Sequence, residues 1–442
     1  MTIERPSRVS VPALAAPAAL MVFALSAAQV LFRYLLTYPG ELWQLDLEVY
    51  RDGATSLLIG RPVYDWLTGA PQFLPFTYPP FSAIAAIPLA LVPFAVAGWA
   101  WSAFQLVLLW WSTGIAFRPL IERAGPWGTT VQALLAAVLV HLAPVADGFR
   151  FGQVNAVVVA LCLADAARRG VERDRWWPTG SLVGLAAAIK LTPAAFWLHY
   201  AVARRWRALG ASLAAAAGAT LVTAAVAPSA SVAFWTDAMW DPARLGPNAG
   251  VSNQSVRGAL LRIGPSTPAV QSVVWLVIVA VIGVLGYGLS VRLHRIGQPV
   301  AVVAAVGMVA VLMSPVSWIH HWHWGIAVIG ALIGDGRVRA RQIAAAAVTV
   351  VLLLPLPWWG GSWPGHGPLV SGVGHVVEQS YTLLAVAALV LLWRLVARPA
   401  LAADAGSHRG GDSSGRQERE HREDGAHRGA DAAHAGQPDE AQ

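Results

Sequence analysis

Asp46-Leu-Glu-Val-Tyr50 puts two carboxylates and a phenol into one short stretch, with Arg51 and Asp52 directly after it. Five more polar clusters interrupt apolar sequence further along. They are Phe76-Thr-Tyr-Pro-Pro80, Phe151-Gly-Gln-Val-Asn155, Ile189-Lys-Leu-Thr-Pro193, Ser252-Asn-Gln-Ser-Val-Arg-Gly258 and Ser314-Pro-Val-Ser-Trp-Ile-His-His-Trp-His323. A carboxylate can take a proton from an attacking hydroxyl. An ammonium, a guanidinium and an imidazole can stabilise charge that develops on a leaving anion. If the fold brings these groups to one place, they suit chemistry on a polar, anionic substrate.

Each residue also has a plainer role. Asp46 could be a solvated loop carboxylate. The Trp and His run at 318–324 could be an interfacial aromatic belt. Gln153 and Asn155 could satisfy backbone groups at a helix end, and Arg257 could hold a loop. His320, His321 and His323 could bind a metal, although adjacent histidines on a helix point apart. Lys190 is the hardest to explain away. It is the single lysine among 31 basic residues and sits in apolar sequence. A cation at bilayer depth costs about 2.5–3.5 kcal/mol unless it faces a cavity or a counter-ion.

The elements that must position these residues are membrane helices. Hydrophobic residues make up 56% of the 442, and charged residues 12%, against roughly 25% charged in a soluble domain. Mean hydropathy is +0.54, and apolar runs of about 20 residues recur, enough to cross a hydrocarbon core. The first, Val11 to Leu36, is too long for a signal-peptide core and reads as a retained helix. Cys162, the only cysteine, excludes an intrachain disulfide. The net charge of +7 is better explained by orienting loop arginines than by a nucleic-acid partner, and the Arg, Ala and Gly skew is that of a GC-rich genome.

Arginines gather on the cytoplasmic side, here at 5 and 8, 118 and 123, 168–175, 204–207, 292 and 295, 337–341, and 394 and 398. The intervals 129–167, 208–291, 299–334 and 343–397 then form hairpins, with a long first outer loop at about 37–78. Pro79 to Val92 would reach only about 21 Å as a helix, so it is expected in the outer interface, with Phe94 to Phe117 spanning. Between Arg175 and Arg204 one crossing gives the wrong parity and two do not fit. The spacing predicts two short helices meeting at Lys190-Leu-Thr-Pro193, a break tolerated where it lines a cavity. The expected fold is an all-α membrane domain over residues 1–401, with about 12 crossings and both termini inside. A disordered cytoplasmic tail is expected over 402–442. This orientation gathers the polar clusters on the outer face.

In these segments the chain resembles the polyprenyl-phosphate-mannose-dependent mannosyltransferases of glycosyltransferase family 87, within the GT-C superfamily. The shared signatures are DLEVY (46–50), LPFTYPPF (74–81), GQVN (152–155), IKLTPA (189–194), NQSVRG (253–258) and SPVSWIHHWHW (314–324). The resemblance implies a GT-C fold in a bacterial plasma membrane, with the active site on the outer face and no cofactor or metal. It implies inverting transfer of mannose from polyprenyl phosphate mannose to a glycolipid acceptor of the phosphatidylinositol mannoside, lipomannan or lipoarabinomannan type, through an α-1,2 linkage. Asp46 would be the catalytic base and His321 the active-site histidine. Lys190, Arg257, His320, Asn253, Gln254, Asn155 and Tyr78 would bind the donor's phosphate and sugar. An arabinosyl donor is the near alternative, and a lipid or sugar transporter is the alternative of another class.

Overall fold

The computed structural model describes residues 11–37, 42–166, 178–265, 267–363, 365 and 367–398. The arginines at 5, 8 and 168–175, and the tail expected from 402, lie outside these residues. Helix follows helix, and among the described residues extended pairing is confined to two isolated bridges, Leu67 with Pro75 and Asn253 with Trp318. The all-α membrane architecture expected from composition is the one observed.

Among the described residues, five helices are long and apolar enough to cross a bilayer: Leu14–Thr37, Phe94–Ala116, Trp206–Val226, Pro268–Arg295 and Ser380–Ala397. Gly125–Leu139 and Ala143–Phe151, bent by 72° at their junction, make a sixth if read as one broken span. The other apolar runs that suggested a dozen crossings form shorter helices, because proline and glycine interrupt them. Polarity across the long helices is reversed from that of a soluble protein. On Phe94–Ala116, Ser102, Gln105, Ser112 and Thr113 are buried, while Trp99, Phe104, Val107 and Trp111 are exposed. That surface suits lipid outside and hydrogen-bonding neighbours inside.

At the centre lies Pro299–Met313, buried continuously from Ala301 to Leu312. Its Gly307 leaves room for the Trp324 indole, which would stand 2.7 Å from an added Cβ. Gly180 and Gly184, four residues apart, bring Ser181–Ile189 against the backbone of Trp206–Val226 at Ala208 and Ser212. Small residues at this spacing let helices meet closely where lipid offers no hydrophobic drive.

The expected break falls where the sequence places it. Helix Ser181–Ile189 stops as Lys190 turns extended (φ −148°, ψ 129°), and helix Ala195–Val202 resumes after a turn at Thr192–Ala194. Pro193 has no N–H to offer the carbonyl of Ile189, four residues back. The Pro79 to Val92 stretch also fails to span, forming two helices at Pro80–Ala85 and Ile87–Ala90.

Candidate active site

Asp46 lies in the first turn of helix Leu45–Leu58, outside the long spans. Gln44 fixes where that helix starts. Its backbone is left-handed (φ 56°), and its buried side-chain amide donates to the Gly98 carbonyl at 3.1 Å and to Ser102 Oγ at 2.7 Å. Its N–H donates to the Arg150 carbonyl at 2.8 Å. The helix carrying Asp46 is thus tied both to the span Phe94–Ala116 and to the short helix Ala143–Phe151.

Gly152 continues the same seam. Its φ of +68° caps Ala143–Phe151 in the left-handed region, and an added Cβ would stand 2.9 Å from Leu47 Cβ and 3.1 Å from Gln44 Cβ. The indole of Trp101 donates to its carbonyl at 2.8 Å. This turn delivers Gln153 and Asn155 to the interior, where both are buried.

Gln153 is the hub. Its amide nitrogen donates to Asp46 Oδ2 at 2.6 Å, and its carbonyl oxygen lies 3.5 Å from Lys190 Nζ. The ammonium of Lys190 donates to Asn155 Oδ1 at 2.9 Å and stands 3.1 Å from His321 Nε2. It also lies 5.4 Å above the ring of Tyr78, whose hydroxyl accepts from Tyr50 at 3.1 Å. Asn155 donates to the His320 carbonyl at 3.0 Å, holding the Trp318-to-Trp324 segment against the start of helix Asn155–Ala166. His320 turns the other way, with Nδ1 3.8 Å from Asp147 Oδ2. Burial pushes the carboxyl of Asp46 above its ordinary value; His320, the Gln153 amide and Lys190 oppose that rise without cancelling it, and Asp147 adds to it.

Asp46, Tyr78, Gln153, Lys190, His320 and His321 all line one cavity of about 1050 Å³, large for a single sugar. Asn155 reaches the same cluster through Lys190. The structure therefore brings together six of the nine residues expected at a site: Asp46, His321, Lys190, His320, Asn155 and Tyr78. It does not bring in Asn253, Gln254 and Arg257, none of which lines the cavity. Asn253 Oδ1 accepts from the N–H of Ser317 at 2.9 Å and its amide donates to the Asn248 carbonyl at 2.8 Å. Gln254 donates to the Glu378 carbonyl at 2.8 Å. Arg257 stacks over Trp275 at 5.3 Å. Among the described residues, no group of three or more histidine, cysteine or carboxylate side chains could hold a metal ion.

Four charged residues at the cavity were not expected: Asp147, Arg150, Asp241 and Arg244. Arg150 lies 3.7 Å from Asp147. Arg244 comes from the turn Pro242–Leu245 and reaches the carbonyls of Tyr64 and Phe76. A carboxylate and a cation–imidazole pair held by one amide can receive a proton on one side and steady an anion on the other.

Residues 76–315 match the model of glycosyltransferase family 87. The chain is 33% identical over 362 residues to a polyprenol-phosphate-mannose-dependent alpha-(1-2)-phosphatidylinositol mannoside mannosyltransferase of Mycolicibacterium smegmatis, a match covering 73% of this chain and 80% of the relative. A protein of the same name from Mycobacterium tuberculosis is 32% identical over 335 residues, covering 72% and 76%. A polyprenol-phosphate-mannose-dependent alpha-(1-2)-phosphatidylinositol pentamannoside mannosyltransferase of Mycobacterium tuberculosis is 32% identical over 358 residues, covering 79% and 80%. No solved structure matches the chain. With the family model spanning more than half its length and relatives of this identity aligned over most of it, the chain belongs to glycosyltransferase family 87.

Proposed function

We propose that the protein transfers mannose, with inversion, from polyprenyl phosphate mannose to a phosphatidylinositol mannoside, forming an α-1,2 linkage on the outer face of the bacterial plasma membrane. The observation that carries this reading is the bridge made by Gln153 between the Asp46 carboxylate and the Lys190–His321 pair. Inversion needs a base on one face of the anomeric carbon and a leaving phosphate on the other, and this bridge sets a carboxylate and a cation side by side across one cavity. The donor and acceptor classes follow the names of the mycobacterial relatives.

Asp46 takes the proton of the acceptor hydroxyl as its oxygen bonds to the anomeric carbon. The bond from that carbon to the phosphate oxygen breaks through an oxocarbenium-like state, and polyprenyl phosphate leaves with the bonding pair. Lys190, with His321 beside it, stabilises the charge gained by the departing phosphate in a poorly hydrated cavity. His320 and Asp147 stand on the side of the base. Asn155 holds Lys190 in place, and Tyr78 offers the donor an aromatic face.

The test is a transfer assay on purified protein offered mannosyl and arabinosyl polyprenyl phosphates separately, with a phosphatidylinositol mannoside as acceptor. Product and free polyprenyl phosphate should appear together from the mannosyl donor, in EDTA as well as without it. Turnover only from the arabinosyl donor would overturn the choice of sugar. Movement of intact donor across a vesicle without transfer would replace the enzyme with a transporter.

A further inference from the structure

Lys190 is not the only cation facing the cavity without a carboxylate bonded to it. Arg150 lies beside Asp147, but no described carboxylate pairs with Arg244. The carboxylate of Asp241, three residues away, is turned to the N–H of Ala243 at 2.9 Å. Arg244 is held through one terminal nitrogen by the carbonyls of Tyr64 and Phe76, while its Nε is buried with no acceptor. The guanidinium is half-buried, with its Nε shielded and unbonded and no anion beside it, an arrangement that a ligand anion entering the cavity would complete.

A row of rings separates the two cations. Arg244 stands 6.0 Å over Tyr64, Tyr64 packs on Phe76 at 5.7 Å, Phe76 packs on Tyr78 at 5.9 Å, and Lys190 stands over Tyr78. The donor's phosphate is bonded directly to the carbon under attack, so it must lie within one sugar of Asp46, as Lys190 does through Gln153. Arg244 stands at the other end of that row, beside Tyr64, so the cavity offers a second cation apart from the Lys190 cluster. On the reading given above, the acceptor carries a phosphate of its own.

We infer that Arg244 is a second anion site in the cavity, taking the phosphodiester of the acceptor lipid and selecting acceptors that carry one. The inference rests on the proposed transfer to a phosphatidylinositol mannoside, and its test separates the two. Wild-type protein and R244Q are compared in transfer to a phosphatidylinositol mannoside and to neutral octyl α-mannoside, and in calorimetric binding of short-chain dioctanoyl phosphatidylinositol. R244Q should raise the KM for the phosphoinositide acceptor about tenfold or more and weaken dioctanoyl phosphatidylinositol binding to match. The KM values for the mannosyl donor and for octyl mannoside should stay within about twofold, and R244K should recover part of the loss. Equal loss on both acceptors would make Arg244 a loop brace, and a raised donor KM would assign it to the donor; either overturns the inference, as does unchanged binding. Arg244-dependent binding in a protein that transfers no mannose would keep the anion site and discard the mannosyl reading.

Discussion

The side-chain amide of Gln153 donates to the carboxylate of Asp46 at 2.6 Å, and this bond opposes the rise that burial imposes on the acid. A base works only when ionised, so activity should fall as the pH drops through a value above the usual carboxylate range. Gln153→Leu removes a contact that favours the ionised form, so the acidic limb of kcat/KM should move to still higher pH. A full pH–rate profile of variant and wild type checks the sign. A limb that stays put or moves down would remove Asp46 from the role of base.

Asp46→Asn keeps shape and hydrogen bonding but cannot accept the proton. Turnover should drop about 10²–10⁴-fold with little change in apparent donor affinity. Glu48→Gln and Asp52→Asn should cost far less, since neither residue lines the main cavity. Radiolabelled transfer at matched protein levels makes the comparison; near-native turnover in the Asp46 variant, with loss in the Glu48 variant, would shift the role to Glu48.

Lys190→Ala should lower donor kcat/KM about 10²-fold while the protein still inserts and folds. Lys190→Arg should recover only part, because a planar guanidinium cannot reproduce the 2.9 Å bond to Asn155 and the 3.1 Å approach to His321 with one nitrogen. Unchanged donor kinetics in the alanine variant would leave Lys190 a purely architectural residue.

Orientation can be read independently of activity. A reporter fused after residue 400 should report the cytoplasm and one inserted between 228 and 268 the outside, as the arginine distribution requires. The opposite result at both positions would move the cavity to the cytoplasmic face.

The last variant pair tests how the segments around Gly250 and Glu378 are fastened together. Arg262 lies 3.5 Å from Glu378 with both side chains nearly buried, and it also donates to the carbonyls of Gly250 and Asn253. Arg262→Met should lower thermal stability in detergent, since breaking a buried pair costs about 3–5 kcal/mol. Adding Glu378→Met should restore much of it, because no charge then remains buried alone. A double variant less stable than the single would contradict that account.

Much of the site could be read from the sequence because its residues sit in compact polar motifs within apolar surroundings. Lys190 and the break at Pro193 followed from segment length and parity. Asp46, Tyr78, Asn155, His320 and His321 followed from motif residues that converge. The Asn253-to-Gly258 motif misled for a physical reason. Asn253 and Gln254 spend their amides on backbone groups of Ser317 and Glu378, and a polar residue that organises loops carries the same letters as one that binds substrate. Asp147, Arg150 and Arg244 were not legible as site residues, since single charges outside a motif acquire meaning only when a cavity forms beside them. The number of crossings was beyond a length rule, because a bend such as the 72° turn between Leu139 and Ala143 breaks an apolar run that composition alone would pass.

The contact of Gly152 with Leu47 and Gln44 bears on how such an enzyme can change its substrate. Asp46 and the Gln153 amide are held in register because Gly152, bare of a side chain, lets its turn sit directly against the Cβ atoms of Leu47 and Gln44. Arg244 and Trp318 line the same cavity away from that seam, so their side chains can be exchanged without disturbing it, and on the proposed reading acceptor preference is the property left free to drift.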